Sequence, residues 1–166
     1  MAAFLPVQSD MKEPSVDRFM TKAPHTIGHH QTLASAHRLM EEHAIRHLPV
    51  LETGKLVGIL SQRDLYFIET LSNTDPERVL VSEAMMPDVF GIGPRSSVRK
   101  VAAEMAEHKY GCAVVLDQDR VVGVFTTVDA LRALSVLLGH QAPNRARAQP
   151  KAGRRKKGMP GARVTG

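Results

Sequence analysis

The feature that most constrains this chain is an internal repeat that runs without gaps. The segment beginning at Val16 lies over the segment beginning at Val81 at a single offset of 65 residues. That offset pairs Val16 with Val81, Met20 with Met85, Ile27 with Ile92, Met40 with Met105, His43 with His108, Val50 with Val115, Gly58 with Gly123 and Asp64 with Asp129. One such unit is too small to bury its apolar face well, so the two copies should pack on each other.

Each copy carries the same local signals. Thr32 and Ser97 stand at N-cap positions, followed by Leu33, Ala36 and Met40 in one copy and Val98, Val101 and Met105 in the other, the spacing of an amphipathic helix. Two short β-branched runs follow, 47–51 and 56–60, then 112–116 and 121–125, joined by polar segments short enough for hairpins. A second helix is predicted over about 63–71 and about 128–138, with Gly139 placed to end the latter. With a first strand near 25–27 and 89–92, the unit reads β-α-β-β-α. The fold class is therefore α/β (α+β), two repeats packed as a pseudo-twofold module. The predicted organisation is an N-terminal segment 1–14, a first repeat 15–72, a linker 73–79, a second repeat 80–139 and a disordered basic tail 140–166.

Charge separates the tail from the body. From Arg145 onward there are eight of the 22 basic residues and none of the 17 acidic ones, so the net charge of +5 resides in the tail and the repeats are mildly acidic. The tail is rich in Pro, Gly, Ala and Arg without apolar periodicity and cannot offset its chain entropy by burial. Its cluster Arg154, Arg155, Lys156 and Lys157 reads either as a solvated tail or as a contact for nucleic acid or an acidic partner. With one cysteine, Cys112, there is no internal disulfide. No segment approaches the roughly 20 apolar residues that span a bilayer, and a cytoplasmic, reducing location without membrane contact is expected.

The most informative element recurs at matching positions: Gly58-Ile59-Leu60-Ser61-Gln62-Arg63-Asp64 and Gly123-Val124-Phe125-Thr126-Thr127-Val128-Asp129. The ordinary explanation of Ser/Thr-x-x-Asp is a helix capping box. The functional one is that a hydroxyl, a carboxylate and helix-N-terminal amides at a strand end suit a ribose diol and a phosphate. Capping alone does not explain the two glycines.

Together with His47-Leu48-Pro49-Val50 and the repeat starts Val16-Asp17-Arg18-Phe19-Met20 and Val81-Ser82-Glu83-Ala84-Met85-Met86, these stretches resemble the cystathionine β-synthase (CBS) domains, which occur as tandem pairs called Bateman modules. The likeness covers about 15–138. It implies clefts that bind adenosine-containing ligands such as AMP, ADP, ATP or S-adenosylmethionine. By that resemblance Asp64 would hold ribose hydroxyls, Ser61 would lie close to ribose or phosphate, and Arg63 would pair with phosphate. Thr26, Ile27 and His47, Leu48 and Pro49 would surround the base. The second copy offers Thr126 and Asp129, but Val128 stands where Arg63 does and Gly91 where Thr26 does, so the two sites are expected to be unequal.

Six histidines, His25, His29, His30, His37, His43 and His47, crowd one stretch. His43-Ala44-Ile45-Arg46-His47 has zincin-like spacing, yet Ala44 replaces the general-base Glu, so no metal site is predicted. Cys112 has no compact Cys/His/Asn arrangement around it and reads as a core residue, leaving no catalytic group and no catalytic cofactor. The expected function is a stand-alone, non-catalytic regulatory module that binds an adenine nucleotide, forms a homodimer and relays binding to a protein partner. The alternative is a nucleic-acid-associated protein that binds through its tail, with the repeats as a dimerisation scaffold.

Overall fold

The structure is a computed structural model that describes residues 13–70 and 75–139; the predicted tail, most of the N-terminal segment and part of the linker lie outside the described residues. The first repeat comprises β1 (Thr21–Lys22), β2 (Ile27–Gly28), α1 (Leu33–His43), β3 (His47–Glu52), β4 (Lys55–Ser61) and α2 (Gln62–Glu69). The second comprises α3 (Val81–Ala84), β5 (Gly91–Ile92), α4 (Val98–His108), β6 (Cys112–Asp117), β7 (Arg120–Thr126) and α5 (Thr127–Leu137). A single 3-10 turn, Val16–Arg18, opens the first repeat where α3 opens the second. The mixed α/β class and the β-α-β-β-α unit agree with the sequence reading.

Local signals explain these elements. Thr32 and Ser97 accept the N–H of Ser35 and Lys100 at the starts of α1 and α4. Each helix ends on a left-handed residue, Ala44 (φ 52°) and Lys109 (φ 59°). The hairpins are tighter than the polar joins suggested: Glu52 pairs with Lys55 and Asp117 with Arg120, leaving two-residue turns. Thr53-Gly54 and Gln118-Asp119 all have positive φ, as a primed turn matching the right-handed twist requires. A register shift falls between Val50 and Leu51 and again between Val115 and Leu116.

Parallel pairing through a helical crossover and the antiparallel hairpin give one sheet in the order β2-β3-β4 and another in the order β1-β7-β6-β5. The strand β1 therefore belongs by sequence to the first repeat and by pairing to the second. The exchange goes further and is reciprocal. Val16, Phe19 and Met20 pack with Val98, Val101, Met105 and Phe125 in the second core, while Val79, Val81, Ala84 and Met85 pack with Leu33, Met40, Leu48 and Leu60 in the first. Three backbone hydrogen bonds repeat at the 65-residue offset with the repeats interchanged. Val16 N donates to Ser96 O and Val81 N to Gln31 O; Asp17 N donates to Pro94 O and Ser82 N to His29 O; Val98 N donates to Pro14 O and Leu33 N to Val79 O. Val16 and Val81 are fully buried, worth about 1.5–3 kcal/mol each, so the swapped leaders are held by both cores.

The exchange accounts for the two glycines. A Cβ on Gly58 would stand 2.5 Å from Met85 Sδ, and one on Gly123 would stand 2.5 Å from Met20 Sδ. Both keep the strand bare where the other repeat's methionine crosses it.

Candidate functional site

Exchange of the leaders lays β4 against β7 and opens a cleft of about 700 Å³ between the repeats. The first repeat contributes Arg46 and His47 at the start of β3, Ile59 and Ser61 at the end of β4, and Gln62, Arg63, Asp64 and Tyr66 from α2. The second contributes Met86, Asp88, Val89 and Phe90 ahead of β5, Lys109, Tyr110, Gly111 and Cys112 around the turn into β6, then Val114 and Thr127. This volume is in the range of small-molecule sites.

At the mouth of α2, Ser61 Oγ accepts Asp64 N at 3.2 Å while Asp64 Oδ2 accepts both the N–H and the hydroxyl of Ser61. The capping box therefore exists, and it uses one carboxylate oxygen. Gln62 N donates to Arg46 O and Thr127 N to Gly111 O, tying each second helix to the turn that precedes its own β3 or β6. Phe90 and Tyr110 stack at 5.2 Å, and His108 stacks on Tyr110 at 5.3 Å, so an aromatic row backs the second-repeat wall.

The electrostatics favour an anion. Three permanent cations, Arg46, Arg63 and Lys109, face two carboxylates, Asp64 and Asp88. Burial holds His47 below its ordinary range, with the charge of Arg46 acting the same way and Asp64 opposing. Burial pushes the Cys112 thiol up to about 12, so at neutral pH it is a protonated thiol without nucleophilic character.

Of the residues singled out by sequence, His47, Ser61, Arg63 and Asp64 line this cleft, and Thr26, Ile27, Leu48, Pro49, Thr126 and Asp129 do not. Ile27 and Leu48 have their side chains in the first core, and Pro49, between Leu48 and Val50 on β3, is buried as well. The positions that flank Asp64 across the cleft are Val89, Phe90, Cys112 and Val114, which correspond at the offset to Pro24, His25, His47 and Pro49. The hydroxyl-carboxylate half and the first-strand half thus come from different repeats. Sequence reasoning missed Arg46, Phe90, Lys109, Tyr110 and Gly111; the signal available was the 65-residue offset applied across the repeats.

The histidines disperse. His25 stacks on His43 at 3.7 Å, His29 faces Glu52, and His37 lies between Glu41 and Glu69. His43 ends α1 and His47 begins β3, so the zincin-like spacing does not lie on one helix face. Among the described residues no three His, Cys, Asp or Glu side chains converge as a metal site would require. No helix among them is long and apolar enough to cross a membrane.

The chain matches the CBS domain family over residues 16–68 and 81–136. It is 31% identical over 115 residues to the CBS domain-containing protein YhcV of Bacillus subtilis (strain 168), covering 69% of this chain and 81% of that one. Among solved structures it is similar to the AcuB protein from Vibrio cholerae, with TM-score 0.69, 35% identity and coverage of 77% of this chain and 95% of that one. It is also similar to the CBS domain pair of protein MJ0100 in complex with 5-methylthioadenosine and S-adenosyl-L-methionine, with TM-score 0.68, 26% identity and coverage of 76% and 99%.

Proposed function

The chain belongs to the CBS domain family, and from that premise we propose that it is a non-catalytic regulatory module that binds an adenine nucleotide, AMP, ADP or ATP, between its repeats. The carrying observation is Asp64. Its Oδ2 is spent on the cap while Oδ1 has no hydrogen-bond partner among the described residues, and Arg46, Arg63 and Lys109 line the same cleft. A carboxylate can accept a ribose diol, and guanidinium and ammonium groups pair with phosphate. A protein of the same fold carries two adenosine compounds, which supports the adenosine class. The excess of cations in this cleft favours a phosphate ester over a sulfonium. The protonated Cys112 thiol fits a binding role better than a nucleophilic one.

Binding is relayed by stabilising one arrangement of the two repeats, because the nucleotide bridges groups from both. We place homodimerisation on α2 and α5, where Phe67, Leu131, Leu134 and Val136 are each at least half exposed. A protein partner then reads the dimer, in a cytoplasmic setting. The basic tail keeps the nucleic-acid alternative as a second reading, through Arg154, Arg155, Lys156 and Lys157. Calorimetric titration of the full chain with AMP, ADP, ATP, NAD and S-adenosylmethionine tests the proposal. Saturable binding of a nucleotide in preference to the sulfonium supports it, and binding of none overturns it.

A further inference from the structure

The two capping boxes differ in the fate of the carboxylate oxygen that the cap leaves over. In the second repeat Asp129 Oδ2 accepts the N–H and hydroxyl of Thr126, as Asp64 Oδ2 does with Ser61. Asp129 Oδ1, however, accepts Arg132 Nη1 at 2.9 Å, three residues further along α5, and Asp129 is only 2% exposed. Position 132 corresponds at the 65-residue offset to Phe67, which has no donor to offer Asp64. Both oxygens of Asp129 are therefore occupied, whereas Asp64 keeps Oδ1 for a ligand.

We propose that Arg132 fills the second half-site from within, so that each chain takes up a single adenine nucleotide, at Asp64. This inference rests on the adenine-nucleotide proposal above. A ribose diol reaching Asp129 would first have to displace the Arg132 guanidinium, which holds the one carboxylate oxygen the cap leaves over and stands between the 2%-exposed carboxylate and solvent. The stem of Arg132 is largely exposed, with the side chain at 66%, so the residue can be exchanged without opening a core. Arg132 is then a specificity-determining residue that sets the number of ligands.

The test is the stoichiometry of AMP and of ATP binding to the full chain, by calorimetry and by equilibrium dialysis. The wild type should take up one nucleotide per chain, and Asp64→Asn should bind it about 10- to 100-fold more weakly. Arg132→Phe, which copies the first repeat, should take up two, and the added one should vanish in Arg132→Phe combined with Asp129→Asn. Arg132→Ala, expected to behave like Arg132→Phe, replaces it if the bulkier variant does not fold. Two nucleotides on the wild type, or one on both arginine variants, overturns the role of Arg132 and leaves the adenine-nucleotide site standing. No saturable binding by any of the proteins overturns both.

Discussion

The imidazole of His47, at the start of the first repeat's β3, rests on the backbone of Gly111 in the second repeat, so closely that a Cβ at 111 would stand 2.8 Å from Nε2. This contact joins the repeats beside the cleft, since both residues line it. Gly111→Ala should therefore displace His47 and cost about 1–3 kcal/mol, as overpacking does. Denaturant unfolding of Gly111→Ala, His47→Ala and the double variant should give a coupling of about 0.5–3 kcal/mol with the double variant partly rescued. Simple additivity would mean that the contact is not energetic.

Adenine nucleotide should raise the melting temperature. At about 100 times its dissociation constant the stabilisation is about 2.7 kcal/mol, or about 5 to 10 °C for a chain of this size. Asp64→Asn should weaken binding about 10- to 100-fold by removing a charged acceptor, and Asp129→Asn should leave it nearly unchanged. Equal losses from the two substitutions, with folding intact, would contradict the inequality of the two repeats.

Gly58→Ala and Gly123→Ala should each destabilise by about 1–3 kcal/mol, because the new methyl meets the crossing methionine. Shortening that partner, Met85→Ala with Gly58→Ala or Met20→Ala with Gly123→Ala, should return part of the loss in urea titrations. A ligand-contact role for the glycines predicts the opposite, lost binding at unchanged stability.

His47 gives the fold a pH dependence of definite sign. Its folded pKa lies below the ordinary 6.5, chiefly through burial, so the unfolded chain binds more protons in the window between the two values. Stability from this group is fully present above the unfolded pKa and is lost as pH falls toward the folded one. Between about pH 7 and about pH 5.5 the urea midpoint of the wild type should fall more than that of His47→Gln. Parallel curves would assign the acid sensitivity to other groups.

A chain ending at Gly139 should keep the fold, the dimer and nucleotide binding, since the apolar pattern ends by Leu138. If the full chain binds RNA or DNA, its eight tail cations limit the salt dependence to a log–log slope no steeper than about −6 to −7. Filter binding should find that affinity absent from the shortened chain. Its retention there would move the nucleic-acid contact to the repeats.

By itself the sequence determined the duplicated unit, the order of its elements, the helix caps at Thr32, Ser97, Ser61 and Thr126, and the inward faces carrying Leu33, Met40, Val101 and Met105. These are local matters, carried by periodicity and by hydroxyls within three residues of the amide they cap. Tertiary structure alone decided which copy each half belongs with: Val16 in the core of the second repeat, Val81 in that of the first, and Asp64 opposite Phe90 and Gly111 rather than beside Thr26 and Pro49. The physical reason lies in the duplication. Two copies with one apolar pattern satisfy that pattern equally well whether a leader packs on its own repeat or on the other. The choice is made by tertiary packing that no local pattern carries, and its outcome sets Met85 across Gly58, Met20 across Gly123 and His47 against Gly111.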